Sequence, residues 1–174
     1  MICETERLLL RELQYNDIDA LSRILRDEET MYAYNGAFSG QETLDWLERQ
    51  LARYKKYGFG LWAVILKESG EMIGQCGLTM QPWKDKELLE IGYLFNKNFW
   101  HRGYATEAAK ACKKYAFEVL GAGEVCSIIR DTNIPSQRVA ERNGMKLTDD
   151  NFVKHYRGVD MPHYLYLIKR EELS

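Results

Sequence analysis

The sequence predicts a mixed α/β fold in which helices flank a central, twisted and mostly antiparallel sheet. Strand-like and helix-like segments alternate in the order βααβββαβαββ. Three consecutive strand candidates in the middle of the chain are separated by short turns, which is typical of an antiparallel meander. The chain contains only three prolines and no linker-like tract, so we expect residues 1–174 to form a single domain.

The first half of the chain predicts one strand, two helices and the meander. Residues 5–13 form the first strand candidate, and Asn16 or Asp17 is expected to cap the helix that follows it. The turn-like stretch NGAFSG leads to a second helix, which is expected to end near Gly58. The meander then consists of FGLWAVIL, MIGQCGLTM and LLEIGYLF, with KESGE as the turn between the first two.

The second half predicts two helices and three strands. The third helix begins within FWHRGYATEAAKACKKYAF and is expected to end at Gly121. Its buried face is expected at five positions, which are Ala108, Ala111, Cys112, Tyr115 and Val119. The strand EVCSIIR and a short helix from about Pro135 to Arg142 follow, and MKLTDDNFVKHYR and HYLYLIK predict a final strand pair.

Charge and hydropathy argue against two classes of partner. The formal net charge is −2, the pI is near 6.0, and no block of Lys and Arg stands out, which argues against a nucleic-acid partner. No apolar run approaches the ~18 residues of a membrane span, and the start MICETERLLLREL lacks the pattern of a signal peptide. We therefore expect a soluble, cytoplasmic protein with no membrane partner.

The cysteines and histidines form no metal-ligand pattern. The cysteines are dispersed without a C-x-x-C pair, and the three histidines lie at no familiar ligand spacing. The four cysteines are Cys3, Cys76, Cys112 and Cys126. We expect no metal and reduced, mostly buried thiols, since free cysteine is among the most buried residue types.

The stretch WHRGYATEA places a glycine where a strand passes into a helix. The first N–H groups of a helix have no partner within it, so such a turn is a general device for binding phosphate. Gly103 would let the backbone approach an anion, and Arg102 would add a cation. The alternative is that Gly103 only makes a tight turn. The chain has no P-loop sequence and no dinucleotide-binding fingerprint.

Three segments, TERLLLREL, EIGYLFNKNFWHRGYATEA and NIPSQRVAERNGMKL, together resemble the GNAT superfamily, specifically its RimJ/RimL-like branch of ribosomal-protein-alanine acetyltransferases. They occur in family order, and the match spans nearly the whole chain. The resemblance implies a GNAT-like fold and an acetyl-CoA-dependent N-acetyltransferase that moves the acetyl group to a primary amine by direct attack. The family pattern Q/R-x-x-G-x-G/A is broken by Trp100 at its first position, and an aromatic residue there favours this branch.

The resemblance also implies where acetyl-CoA binds. The loop and helix start that wrap the CoA pyrophosphate would be His101, Arg102, Gly103, Tyr104, Ala105 and Thr106. Backbone groups near Leu94 and Phe95 would bond the pantetheine arm and the acetyl carbonyl. Asn133 would contact the pantetheine arm and Arg138 would reach a phosphate. The alternatives are a plain helix cap for Asn133 and a solvated helix face for Arg138.

Two residues are candidates for catalysis. Glu90 is the only ionisable residue in the run LLEIGYLF, and a carboxylate on a central strand is either a salt-bridge partner or a functional group. Its position resembles that of a glutamate that acts as general base in the family. The tyrosine acid of many GNAT enzymes is replaced here by Ala140, so Ser136 is the candidate that assists the CoA thiolate. The alternative is that Ser136 is only a residue of the first helical turn whose hydroxyl hydrogen-bonds to the backbone.

The acceptor side is implied by the same resemblance. It would be formed by residues 31–40 and 155–164, which we call the acceptor segments, although their aromatic residues would equally serve as hydrophobic cover. Trp62 and Trp83 are expected in the core or at its rim. The acceptor amine would be a protein N-terminus or a small molecule such as an amino acid, polyamine or antibiotic. A homodimer is expected from family habit alone.

Two other hypotheses belong to different classes of protein. In the first, which Ala140 suggests, the chain is a CoA-binding regulatory module without turnover. In the second, it is a general anion-binding domain that uses the same helix start. A cysteine nucleophile is disfavoured because Cys76 and Cys112 have no His or acidic activator nearby in the sequence.

Overall fold

The computed structural model describes residues 1–173, which form one eight-stranded sheet and four α-helices. The strands are β1 (Cys3–Glu4), β2 (Leu8–Arg11), β3 (Leu61–Leu66), β4 (Met72–Trp83), β5 (Lys86–Phe95), β6 (Glu124–Arg130), β7 (Lys146–Tyr156) and β8 (Val159–Lys169). The helices are α1 (Ile18–Leu25), α2 (Gly40–Tyr57), α3 (Tyr104–Glu118) and α4 (Ile134–Arg142).

The sheet has the spatial order β1-β2-β3-β4-β5-β6-β8-β7. All neighbours are antiparallel except β5 and β6, which run parallel and share a single register pair, Glu90 with Cys126. The predicted mixed α/β architecture is confirmed. The strand predicted over residues 5–13 is limited to β2, because the chain turns between β1 and β2, where the Thr5 N–H donates to the Leu8 carbonyl at 2.8 Å.

Helices cover both faces of the sheet. Alternation along β3 places Trp62 and Val64 in the core beneath α3, and Leu61 and Ala63 in the core beneath α1 and α2. Trp62 is fully buried, with its ring centroid 5.0 Å from that of Tyr115.

Trp83 is also buried, and its indole N–H donates to Asp150 Oδ2 at 2.7 Å. Trp62 and Trp83 therefore lie in the core, as predicted.

The start of α1 and the end of α2 lie where the sequence predicts them, but the predicted side-chain cap of α1 is not formed. The residue at the N-cap of α1 is Asp17, but its carboxylate binds Arg11 at 2.8 and 2.9 Å instead of capping the helix. Ser39 and Glu42 form a capping box at the start of α2. Gly58 ends α2 in the left-handed conformation, as predicted.

The buried face of α3 differs from the predicted one at its C-terminal end. Val119 is 63% exposed, because the helix ends at Glu118 and the chain turns toward Gly121. Ala108 and Cys112 are buried as predicted, and Ala111 and Tyr115 are half-buried. The remainder of the buried face consists of Tyr104, Ala109, Ala116 and Phe117.

All four cysteines are free, and Cys3 is half-buried while the others are buried. Cys76 Sγ on β4 lies 3.6 Å from Cys112 Sγ on α3, and this thiol contact together with burial raises the pKa of Cys112 well above its ordinary value. Burial also raises the pKa of Cys126. Residues 1–173 contain no group of three or more His, Cys, Asp or Glu placed to hold a metal ion, and none of their helices is long and apolar enough to span a membrane.

Candidate active site

The parallel strands β5 and β6 separate immediately after their one register pair. Side chains bind the backbone groups that the separation leaves without a ladder partner. Ser127 Oγ donates to the Ile91 carbonyl at 2.8 Å, and the Ile128 N–H donates to Glu90 Oε2 at 2.7 Å. We call this place the strand split. It opens one edge of β5 toward a cleft.

The cleft has a volume of about 1150 Å³ and runs across the strand split. One end is bounded by the first turns of α3 and α4, and the other by α2 and both acceptor segments. Glu90 lines the middle, where the two ends meet. A cleft of this size has room for two ligands that meet at the strand split.

Glu90 is the titratable group at the centre of the cleft. Burial raises the pKa of its carboxyl to about 7, and the Ile128 N–H, Arg53 and Lys154 oppose this rise. The carboxyl therefore changes protonation close to neutral pH, which is where a general base works best. The sequence left a salt-bridge role open, but residues 1–173 place no Lys, Arg or His within salt-bridge distance of it.

Tyr34 in the first acceptor segment lines the same cleft as Glu90. Its ring packs edge-on against Phe38 and Trp46, with centroids 6.0 and 5.8 Å away. Burial and the nearby Glu90 carboxylate raise the pKa of the Tyr34 hydroxyl, so it is a neutral hydrogen-bond donor at neutral pH. Arg53 of α2 lines the same wall.

The start of α3 forms the other end of the cleft. Gly103 is the N-cap residue with φ of 81°, a left-handed conformation that favours glycine. The first intrahelical bond runs from the Glu107 N–H to the Gly103 carbonyl at 3.0 Å. The N–H groups of the three residues between them have no partner within the helix, and all three residues line the cleft.

Arg7 holds this turn from the N-terminal end of the chain. Its Nη1 donates to the Arg102 carbonyl at 2.9 Å and its Nε to Glu107 Oε2 at 2.7 Å. Its guanidinium also lies 4.4 Å from the centroid of the Tyr104 ring. The Arg102 side chain itself lies outside the cleft wall, 5.8 Å from the Phe99 ring centroid.

The remaining predicted cofactor residues lie around the same end. His101, Gly103, Tyr104, Ala105 and Thr106 line the cleft, as do Leu94, Phe95, Asn133 and Arg138. The Phe95 carbonyl already accepts the Trp100 indole N–H at 2.9 Å. Arg138 is exposed and pairs with Glu141 at 3.1 Å along α4.

The start of α4 is tied to β5. Asn133 caps the helix, because its Oδ1 accepts the Ser136 N–H at 3.3 Å. The Tyr93 hydroxyl donates to the Ser136 carbonyl at 2.7 Å. Within residues 1–173 the Ser136 hydroxyl has no hydrogen-bond partner, and Ser136 lines the cleft. Its side chain is thus available to a ligand.

The two acceptor segments are linked to each other. The Arg157 guanidinium lies 5.8 Å from the Phe38 ring centroid of the first segment, and its Nη2 donates to Glu42 Oε2, at the start of α2, at 2.8 Å. Among the five aromatic residues of these segments, Tyr32, Tyr34 and Tyr156 line the cleft, whereas Phe38 and Tyr164 pack against the two cores.

Several residues of the site carry no recognisable signal in the sequence. Ile128 contributes a backbone N–H, which any residue would supply. Ser127 matters only because β6 departs from β5 at that position. Arg49 and Arg53 share a face of α2, but two arginines four residues apart are ordinarily solvated.

The fold, with one parallel pair that separates within an otherwise antiparallel sheet, is that of an acyltransferase. The model of the acetyltransferase (GNAT) domain matches residues 7–146, and the chain belongs to the GNAT acetyltransferase family.

Individual relatives agree with this family. YkkB of Bacillus subtilis, an uncharacterized protein, is 37% identical over 142 residues, which are 81% of this chain and 83% of YkkB. A GNAT-family acetyltransferase from Bacillus anthracis is 27% identical with a TM-score of 0.82, over 97% of this chain and 98% of that one. RimL, a ribosomal alpha-N-protein acetyltransferase solved in complex with coenzyme A, shares the fold at 18% identity, with a TM-score of 0.79 and 97% of each chain covered.

Proposed function

We propose that this enzyme transfers the acetyl group of acetyl-CoA to a primary amine by direct attack within a ternary complex. The observation that carries the proposal is Glu90, a carboxyl with a pKa of about 7 at the point where the two ends of the cleft meet. Glu90 would accept the proton that the amine loses. Membership of the GNAT family and the coenzyme A bound to RimL support the choice of acetyl donor.

The residues around α3 fit the pyrophosphate of CoA. Three unpartnered N–H groups at the helix start and the partial positive charge of the helix dipole favour an anion there. Gly103 leaves the backbone uncovered beside them. The open edge of β5 next to Leu94 would bind the pantetheine arm, and Asn133 and Ser136 lie on the opposite wall.

The required proton transfer depends on the acceptor. From reference values, an α-amine with pKa near 8 costs about 1.4 kcal/mol to deprotonate at pH 7, whereas a lysine near 10.4 costs about 4.6 kcal/mol. The nitrogen then bonds to the acetyl carbon, the carbon–sulfur bond breaks, and CoA leaves as a thiolate that takes up a proton. Glu90 accepts the proton from nitrogen, and Ser136 hydrogen-bonds to the departing sulfur.

A covalent acetyl-cysteine intermediate is disfavoured by the thiols themselves. The two thiols nearest each other, Cys76 and Cys112, lie in the core beneath α3 and do not line the cleft. The raised pKa of Cys112 keeps it protonated at neutral pH, and a thiol is a much weaker nucleophile than a thiolate.

The acceptor class is the finer part of the proposal. The RimJ/RimL-like motifs and the fold shared with RimL favour a protein N-terminal α-amine, and the open cleft would also admit small amines. The second candidate function is a CoA-binding module without turnover, suggested by Ala140, which is buried at the position where a tyrosine acid would stand.

The test is a thiol-release assay with acetyl-CoA against N-terminal peptides, free amino acids, polyamines and aminoglycosides. Glu90→Gln and the surface variant Glu48→Gln are measured in parallel. We expect turnover with one acceptor group, a marked loss in Glu90→Gln and no change in Glu48→Gln. Tight binding of acetyl-CoA by calorimetry with no thiol release from any amine would support the module instead.

A further inference from the structure

The cleft has a charge opposite to that of the chain as a whole. The chain has a formal net charge of −2, yet seven Lys and Arg residues line the cleft against two carboxylates, Glu29 and Glu90. Arg138 and Arg142 lie on α4 at the end assigned to CoA, and Lys84 pairs with Asp150. The acceptor half therefore holds an excess of positive charge that CoA does not account for.

Four other cations line the cleft: Arg130 on β6, Lys154 on β7, and Arg49 and Arg53 on α2. Arg49 and Arg53 lie one turn apart, with Arg49 exposed and Arg53 half-buried. The two like charges are four residues apart on one face of α2, and burial and Arg49 lower the pKa of Arg53. Such a pair destabilises a helix unless something opposes the repulsion.

No carboxylate among residues 1–173 lies within salt-bridge distance of either guanidinium. Among the described residues, Arg53 makes one side-chain hydrogen bond, to Gln50 Oε1 at 3.1 Å. Gln50 is buried and also accepts the Leu61 N–H at 3.1 Å, so Arg53 is held against the sheet. Arg7, Arg11 and Arg157, by contrast, each bind a carboxylate.

Arg53 lines the same cleft as Glu90, and its positive charge lowers the pKa of that carboxyl. If the amine of the acceptor lies at Glu90, the acceptor groups next to that amine would lie against α2. A planar, always charged guanidinium pairs best with a carboxylate.

We propose that the acceptor is an amine that also carries a carboxylate, and that Arg49 and Arg53 bind this carboxylate while Glu90 receives the amine. The inference rests on the proposed function and names its substrate class. Two sources share this chemistry, a free amino acid and a peptide with an acidic residue next to its N-terminus. Polyamines and aminoglycosides, which are polycations, are poor acceptors in this account.

The first experiment compares matched acceptors. Amino acids are assayed beside their carboxamides, and N-terminal peptides with Asp or Glu as second residue beside those with Asn or Gln. We expect kcat/KM to be about 10- to 100-fold higher for the carboxylate member of each effective pair, from the strength of hydrogen bonds to charged groups. Equal activity of both members, or preference for spermidine, would overturn the proposal.

The second experiment uses Arg49→Gln and Arg53→Gln, with Arg23→Gln on the exposed face of α1 as control. Each cleft variant should raise KM for the carboxylate acceptor about tenfold or more relative to its effect on the matched carboxamide, and leave the affinity for acetyl-CoA unchanged. An equal loss for acid and amide would mean a structural role and contradict the inference.

A binding measurement separates this inference from the proposed function. The enzyme with CoA is titrated with amino acids and with acidic peptides by calorimetry. Carboxylate binding that Arg53→Gln abolishes, in the absence of any thiol release, would uphold the anion site and refute the proposed turnover. Turnover of amines without any dependence on Arg49 or Arg53 would uphold the proposed turnover and refute the anion site.

Discussion

The Glu90 carboxylate accepts the N–H of Ile128 at 2.7 Å, although Glu90 pairs in register with Cys126 on the same neighbouring strand. The side chain thus takes the place of a ladder bond at the point where β5 and β6 separate. One residue therefore satisfies a backbone group of the open sheet and presents a carboxyl to the cleft. Because its surroundings disfavour the ionised form, this carboxyl is expected to reduce stability while it serves the reaction.

Glu90→Gln should stabilise the fold in a pH-dependent way. The pKa of Glu90 rises from 4.5 to about 7 on folding, because the folded protein favours the protonated carboxyl. The free energy of unfolding is therefore highest below pH 4.5 and falls as pH rises through 7. Glutamine keeps an acceptor for the Ile128 N–H and never ionises. We expect the variant to gain about 1–3 kcal/mol over the parent at pH 8 and little at pH 5. Urea unfolding at both pH values measures this, and an equal difference at both would be inconsistent with a raised pKa.

Arg7→Ala should weaken acetyl-CoA binding. Arg7 is bonded to the Arg102 carbonyl and to Glu107 and stacks on Tyr104, so its loss frees the turn that precedes α3. We expect about a tenfold rise in the Kd for acetyl-CoA, as for the loss of one charge-assisted hydrogen bond. Calorimetry measures it, with Arg23→Ala as the control. An unchanged Kd would show that the turn holds its shape without Arg7.

Arg157→Ala should affect the acceptor and spare acetyl-CoA. The pair with Glu42 links the second acceptor segment to α2 but is partly exposed, and exposed ion pairs contribute little to stability. We therefore expect only about a two- to fivefold rise in acceptor KM. Glu42→Gln should reproduce the effect, and the double variant should add little to it. Additive effects in the double variant would mean that the two residues act separately.

Ser136→Ala should reduce turnover without reducing stability. The Ser136 hydroxyl has no partner among residues 1–173, whereas its carbonyl is bound by Tyr93. We expect kcat to fall about tenfold or more, as for loss of a donor to a developing anion, and the free energy of unfolding to stay within about 0.5 kcal/mol. Tyr93→Phe should lower stability by about 1 kcal/mol. Full kcat in Ser136→Ala would remove the serine from the mechanism.

The sequence predicted elements more successfully than contacts. Gly58 predicted the end of α2, and Glu90 was identified as the only ionisable residue in the run LLEIGYLF. Val119 was placed on the buried face because periodicity does not show that a helix has ended. Asn16 or Asp17 was expected to cap α1, because local sequence does not show that the Asp17 carboxylate binds Arg11 instead.

The electrostatics of the site depend on contacts that no local pattern encodes. The partner of Arg7 lies 100 residues away at Glu107, and Arg53 lowers the pKa of Glu90 only because α2 packs over the sheet. The Ile128 N–H is available to Glu90 only because β6 departs from β5. Each of these relationships arises from the packing of elements, so residue type and spacing do not indicate it.

The central claim is that Glu90 removes the proton from the acceptor amine, and the pH dependence of kcat/KM tests it most directly. For the parent enzyme we expect kcat/KM to rise with pH through an ionisation near 7, in addition to that of the amine. Glu90→Gln should lose the ionisation near 7, keep that of the amine, and be slower by about 10²-fold or more. A variant that retains the same profile at a similar rate would contradict the account.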